Sequence, residues 1–308
     1  MKIAVIDFSS TSLSLLVEEV SGEMMVPVVG LRRSVSILGY MSKKGKLSER
    51  GIEKVVDSIR YLMEAAAKVG TDSVHIISTA SMRIIRNYGE VAEAIKAGTG
   101  LPVNNLDGQA EAYADYIANR EYTALGSTML LDIGGYSSSF IDMDNSSKDS
   151  MFTLDIGPAA LFQTFDGMYP DKDDVKRMRH QIDKTIEKNS VFPGKGFKHI
   201  VLTGSNAEAL YAVYADHYSI PDSSFKTMAR KKLRKMIKHL IASDERSLIL
   251  IRNVPEKVHT LIPSAILAEE IASIFSTDEL IISDKGVKDG YLRILMEENS
   301  QESADAGM

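Results

Sequence analysis

The chain has 308 residues, a length that suggests two domains of ordinary size. Its 44% hydrophobic and 25% charged residues are ordinary for a globular protein that needs no metal or disulfide staple. The formal charge of -6, from 36 Lys and Arg against 42 Asp and Glu, argues against a dedicated nucleic-acid binder. The absence of cysteine excludes disulfide frameworks, thiolate zinc sites and cysteine nucleophiles.

Residues 2–7 form a short apolar run ending in Asp7 and a Ser/Thr cluster, which reads as a buried strand and a turn. The N-terminus is thus a strand, not a signal peptide, and no apolar run approaches the length of a membrane helix, so a cytoplasmic protein is expected. Strands are expected over 13–20 and 24–37. Ser48 caps a helix over about 49–69, whose Ile52, Val55, Val56, Ile59 and Met63 share a face. A strand over 73–78, two helical stretches near 80–86 and 88–97, a strand near 101–104 and a helix over 108–120 capped by Asp107 follow. After the segment 127–144 come a strand near 148–155, helices near 158–166 and 171–189, and a strand at 199–204 leading into a helix at 205–214. Helical stretches are expected over 221–249, a helix from Pro263 to about 276, a strand at 279–283, a helix over 285–298 and a disordered tail at 299–308. Strands alternating with helices define an α/β class.

The opening theme returns at 127–144, again strand, Asp, small-residue turn and strand. An offset of 125 sets Asp7 over Asp132, Ser12 over Ser137 and Ser14 over Ser139, which points to two similar domains, the alternative being two unrelated hairpins. Turns rich in Gly and Ser expose successive N–H groups that bind phosphate oxygens, and an Asp at the preceding strand end suits Mg²⁺. On their own, such Asp residues also serve as turn caps.

An ordered set of segments carries a resemblance to a known family. These are IDFSSTS (6–12), LGYMSKKGKLSERGIEKVVDSI (38–59), TASMR (79–83), DGQAEA (107–112), DIGGYSSS (132–139), GPAALF (157–162), VLTGSNAEAL (201–210) and SDKGVKDGYL (283–292). Through nearly its whole length the sequence resembles the Ppx/GppA phosphatases, the exopolyphosphatases and guanosine pentaphosphate phosphohydrolases of the actin-like superfamily. The resemblance implies two RNase H-like α/β domains with an interdomain cleft, set here at 1–122 and 123–284, with the last helix packing back on the first. It implies Mg²⁺, with a monovalent cation as a further candidate, beside Asp7 and Asp132. Phosphate would lie on Ser9, Ser10, Thr11 and Ser12 in the first turn and on Gly134, Gly135, Tyr136, Ser137 and Ser138 in the second. Glu111 would be the general base and Arg83 a phosphoryl-stabilising cation. The activity implied is release of terminal phosphate from inorganic polyphosphate or guanosine pentaphosphate, in a protein with no sequence-specific nucleic-acid or membrane partner and with a homodimer as candidate assembly.

Departures from the family pattern favour an alternative, a relative that binds phosphate or nucleotide as a regulator without turnover. Ser9 stands for Gly, Thr11 for Asn, Ser139 for an acid, Ala160 for Arg, and Ser205-Asn206 for Gly-Thr. Tyr136 stands for a third Gly, where a positive φ would strain it. The cationic run 226–239, with Lys231, Lys232 and Lys235, reads as a solvated face or a guide for a polyanion.

Overall fold

The computed structural model describes residues 1–9, 12–22, 24–35, 37–79, 85–147 and 150–305, the side chains of 38 and 299–305 excepted. The chain divides into two compact units, Met1–Glu111 with Tyr291–Met308, and Ala112–Gly290. The exchange points fall inside two helices, whereas the sequence reading set them at 122 and 284.

The first unit is built on β1 (Lys2–Phe8), β2 (Ser12–Ser21), β3 (Met24–Ser34), β4 (Ser73–Ser78) and β5 (Val103–Asn105), in the order β3-β2-β1-β4-β5. The first three strands are antiparallel neighbours, and β1, β4 and β5 run parallel. Helix α1 (Glu49–Lys68) begins where the Ser48 hydroxyl accepts from Gly51 N at 3.3 Å. It buries Val55, Val56, Ile59, Leu62 and Ala66 at helical spacing against Ile6, Phe8, Leu15 and Ile76. Each of the valine, isoleucine and leucine side chains contributes about 1.5–3 kcal/mol by leaving water. Helix α2 (Tyr88–Thr99) lies close on α1, because Gly98 leaves room for Val56, and stops at Gly100 in the left-handed conformation, φ 78°.

The second unit carries β6 (Thr128–Ile133), β7 (Ser138–Asp142), β8 (Met151–Leu154), β9 (His199–Thr203), β10 (Lys226–Ala229) and β11 (Glu279–Ile282), in the order β10-β11-β9-β6-β7-β8. Helix α3 (Gly108–Ala118) leads into it, and α4 (Pro158–Phe162), α5 (Lys172–Lys188), α6 (Ser205–His217), α7 (Arg230–Ala242), α8 (Arg246–Asn253) and α9 (Leu261–Ile274) follow. α10 (Val287–Asp305) leads out. α9 is apolar almost all round and accordingly buried on nearly every side, from Leu261 to Ala272. No helix among the described residues is long and apolar enough to cross a membrane.

Without β10, the second sheet reads β8-β7-β6-β9-β11 and repeats the topology of the first. The register repeats too. Ala4↔Val17, Ile6↔Leu15, Asp7↔Ser14 and Phe8↔Leu13 in the first hairpin become Met129↔Asp142, Leu131↔Phe140, Asp132↔Ser139 and Ile133↔Ser138 in the second, a constant shift of 125 residues. A one-residue slip would turn every side chain to the other face, so this identity confirms a duplicated α/β unit.

Several expected elements differ. Lys226–Ala229 is not helical but a strand antiparallel to β11, with Met228 fully buried. The helix expected to reach 166 ends at Phe162. α9 begins two residues before Pro263, which sits in the first turn, where its missing N–H costs no helical bond. α10 continues through Asp305, into the segment expected to be a disordered tail. Most of the helical stretch expected near 80–86 lies outside the described residues.

Candidate functional site

In open α/β sheets the strands' carboxyl ends open onto ligands. In the first unit this edge receives the turn after β1, the segment after β4 and the start of α3 after β5. In the second it receives the turn after β6, Gly204–Asn206 after β9 and 283–286 after β11.

Asp7 lies near the end of β1, 9% exposed, with Ser14 and Ile77 as its neighbours across the sheet. The first turn closes through Ser9, whose N–H and hydroxyl both donate to Ser12 O, at 3.0 and 2.8 Å. Arg32 on β3, which the sequence reading did not single out, donates through Nε to Ser12 Oγ at 3.2 Å. Only a strand pairing could have placed it there. Ser10, Thr11 and Arg83 lie outside the described residues. Glu111 is 7% exposed in the first turn of α3. Asp107 caps that turn as expected, its Oδ1 accepting from Ala110 N at 2.8 Å and its carbonyl from Glu111 N at 2.9 Å. A carboxylate in this position is stabilised by the helix dipole.

In the second unit Asp132 stands half-buried in a polar row across the sheet, Thr203, Asp132, Ser139 and Thr153 being successive register partners. The turn that follows has its carbonyls drawn into the protein. Asn206 Nδ2 donates to Ile133 O and to Gly134 O, both at 2.9 Å, and Ala159 N donates to Gly135 O at 2.8 Å. The N–H groups of Gly134, Gly135, Tyr136 and Ser137 make no backbone hydrogen bond among the described residues, which leaves a row of donors of the kind that binds oxyanions.

Glycine serves here by its size. A Cβ on Gly134 would lie 2.6 Å from Ser137 O, one on Gly157 2.4 Å from Gly135 O, and one on Gly204 2.4 Å from Asp132 Oδ1. Asp132 therefore packs directly against the residue that opens α6.

Tyr136 is not strained, contrary to expectation. It is absent from the positive-φ residues, and its hydroxyl accepts from Gln163 Nε2 at 2.5 Å while burial raises its pKa. Ser137 and Ser138 are buried, and the Ser138 hydroxyl is committed to Ile156 O at 2.8 Å. Ser139, opposite Asp132, shares a 3.0 Å hydrogen bond with Thr153.

The segment 283–286 acts as scaffold. Ser283 donates to Asn119 Oδ1 at 2.5 Å, Thr203 Oγ1 donates to Lys285 O, and Lys285 pairs with Glu121. Asp289, whose carboxyl pKa is raised by burial, accepts from Gly286 N at 2.9 Å. A Cβ on Gly290 would come within 1.7 Å of Ala114 O, so α10 crosses α3 at contact distance.

Among the described residues no three His, Cys, Asp or Glu side chains gather as a ready-made ion cage. Each unit carries an acidic side chain at its carboxyl edge, Asp7 or Asp132, and Mg²⁺ is an ion that binds through one or two carboxylates and completes its shell with water and substrate phosphates. In the cationic run, Arg234 Nε donates to buried Glu269 at 2.7 Å, and Arg230 lies 3.9 Å from Glu269 and 3.4 Å from Asp278. Lys231, Lys232, Lys235 and Lys238 remain exposed.

Two sheets of one topology and register, each with an Asp and a small-residue turn at its carboxyl edge, define a duplicated α/β protein. The chain belongs to the Ppx/GppA phosphatase family, whose model matches residues 15–299. Its fold is that of an exopolyphosphatase from Cytophaga hutchinsonii, with a TM-score of 0.85 at 18% identity, covering 97% of this chain and 98% of that one. The Aquifex aeolicus Ppx/GppA family member gives a TM-score of 0.80 at 22% identity, over 97% and 98% of the two chains. An uncharacterised protein of Streptomyces coelicolor is 26% identical over 191 residues, which span 59% of this chain and 57% of that relative.

Proposed function

We propose that the protein hydrolyses the terminal phosphoanhydride of inorganic polyphosphate or of guanosine pentaphosphate. The observation that carries this reading is the second turn, whose carbonyls are held inward beside Asp132 while its N–H groups are left to donate. Those donors bind phosphate oxygens, as do Ser9, Ser10, Thr11 and Ser12 in the first turn. Asp7 and Asp132 would hold Mg²⁺, which when bound neutralises the charge of the phosphate chain. Glu111 orients a water and takes its proton as the water attacks in line with the leaving phosphate oxygen. Arg83 stabilises charge on the transferred group.

The test is phosphate release from both substrates in Mg²⁺. Glu111→Gln keeps the side chain's shape but cannot accept the proton, so turnover falls by about 10²–10⁴-fold while affinity holds. Undiminished hydrolysis in that variant sinks the mechanism. A second reading, phosphate-chain binding without turnover, is favoured by Ser139. Its hydroxyl is engaged with Thr153 where the family pattern has an acid. Wild-type protein that binds both chains and releases no phosphate would select it.

A further inference from the structure

Lys257 ends the short turn Pro255–Lys257 between α8 and α9, a place without functional motif, and only 6% of it is exposed. Its Nζ donates to Asn206 Oδ1 at 2.8 Å and to Ser205 Oγ at 3.1 Å. Asn206 is 4% exposed and spends the other end of its amide on the second turn, through the two 2.9 Å bonds to Ile133 O and Gly134 O. An amide has distinct ends, and an ammonium can only donate. Lys257 therefore fixes which end of Asn206 meets the turn. A flipped amide would set its NH₂ against the ammonium and its oxygen against two carbonyls.

The placement of charge adds to this. A methionine of nearly the same length would fill the slot without the desolvation cost of a buried ammonium. The cation lies at the N-terminus of α6, whose dipole is positive at that end, and the Asp132 carboxylate packs against Gly204 at the same end. A phosphate arriving beside Asp132 meets a like charge, and Lys257 with the helix terminus offsets it.

We propose that Lys257 is a positioning residue for the phosphate-binding turn: acting through Asn206 it holds the Gly134–Ser137 donor row in its receiving form, and its charge raises the affinity of that row for phosphate. This rests on the reading of the turn as a phosphate site.

The experiment compares wild type with Lys257→Met, Asn206→Ala and the double variant. Three quantities are read: tripolyphosphate affinity by calorimetry, KM and kcat where there is turnover, and amide exchange of peptides covering 130–138. Loss of one charge-assisted bond predicts affinity about tenfold weaker in either single variant, with KM moving more than kcat. The double variant should match Lys257→Met, in which both the hold on Asn206 and the charge are already lost. Exchange at the strand amides that flank the turn, 130–133 and 138, should quicken while β9 and α9 keep their protection. A lower melting temperature with wild-type exchange at those flanking amides and wild-type affinity would reduce Lys257 to packing and overturn the proposal, as would additive losses in the double variant. Should Lys257→Met fail to fold, Asn206→Ser carries the same comparison. If wild type neither cleaves nor binds phosphate chains, the proposed function falls, and the exchange data still decide whether Lys257 holds the turn.

Discussion

Gly204 offers a way to measure how tightly Asp132 is held. Its backbone, at φ 87° and ψ 161°, lies in a region reserved almost wholly to glycine, and a Cβ there would stand 2.4 Å from Asp132 Oδ1. Gly126 occupies the same region, at φ 65° and ψ 151°, yet a Cβ there would meet nothing within 4 Å. Alanine at either position incurs the backbone cost, of order 1–3 kcal/mol. At Gly204 it must also push the carboxylate back by about 1 Å, since ordinary contact begins near 3.4 Å, at a further cost of about 1–3 kcal/mol. The difference between the two variants in urea denaturation therefore reports the contact with Asp132 alone. Gly204→Ala should also weaken Mg²⁺-dependent binding of tripolyphosphate, whereas Gly126→Ala should leave it intact. Equal losses of stability, with binding unchanged in both, would refute the packing of Asp132 against the start of α6 and with it the geometry on which the second turn's role depends.

Gly290→Ala should destabilise by about 1–3 kcal/mol or more in urea denaturation, because its methyl would overlap Ala114 O; a loss under about 0.5 kcal/mol would contradict the close crossing of α3 and α10. Replacing Lys231, Lys232 and Lys235 with Ser should weaken binding of long polyphosphate at low salt and flatten its salt dependence, since Arg230 and Arg234 are already engaged by Glu269. An unchanged salt dependence would make the run a solvated face.

The elements that could be read from sequence are those whose signal is local and periodic. The α1 stripe, the Asp107 cap and the paired Asp-and-turn segments all belong to this kind, and the 125-residue offset foretold the shared register. What was hidden depends on distant neighbours. Lys226–Ala229 looked helical because its cations continue into α7, and only the exposed edge of β11 makes it a strand. Tyr136 looked strained because the family pattern has glycine there, but in this turn the structure needs glycine for space at Gly134, where a Cβ would meet Ser137 O. Gly290 stands unmarked inside the SDKGVKDGYL segment, because what constrains it, the Ala114 carbonyl, lies 176 residues away in the chain. Lys257 and Arg32 gave no signal, since a lone cation between helices or on an edge strand is ordinary until its partner is known.

Strand β3 closes the first sheet with a row of apolar side chains turned to solvent, among them Met24 at 68% exposure and Val26 at 56%. A bare edge of that composition is a template on which other chains can add strands. Three features of β3 oppose such addition. Pro27 offers no N–H, the register slips opposite Val17 and Glu18 so that the strand bulges beside that proline, and Arg32 and Arg33 load its far end with charge, the second lying 4.7 Å over the Tyr61 ring. The β2–β3 hairpin thus guards itself against aggregation, and changes at Pro27 or Arg33 would remove that protection without touching Asp7, Ser9 or Ser12.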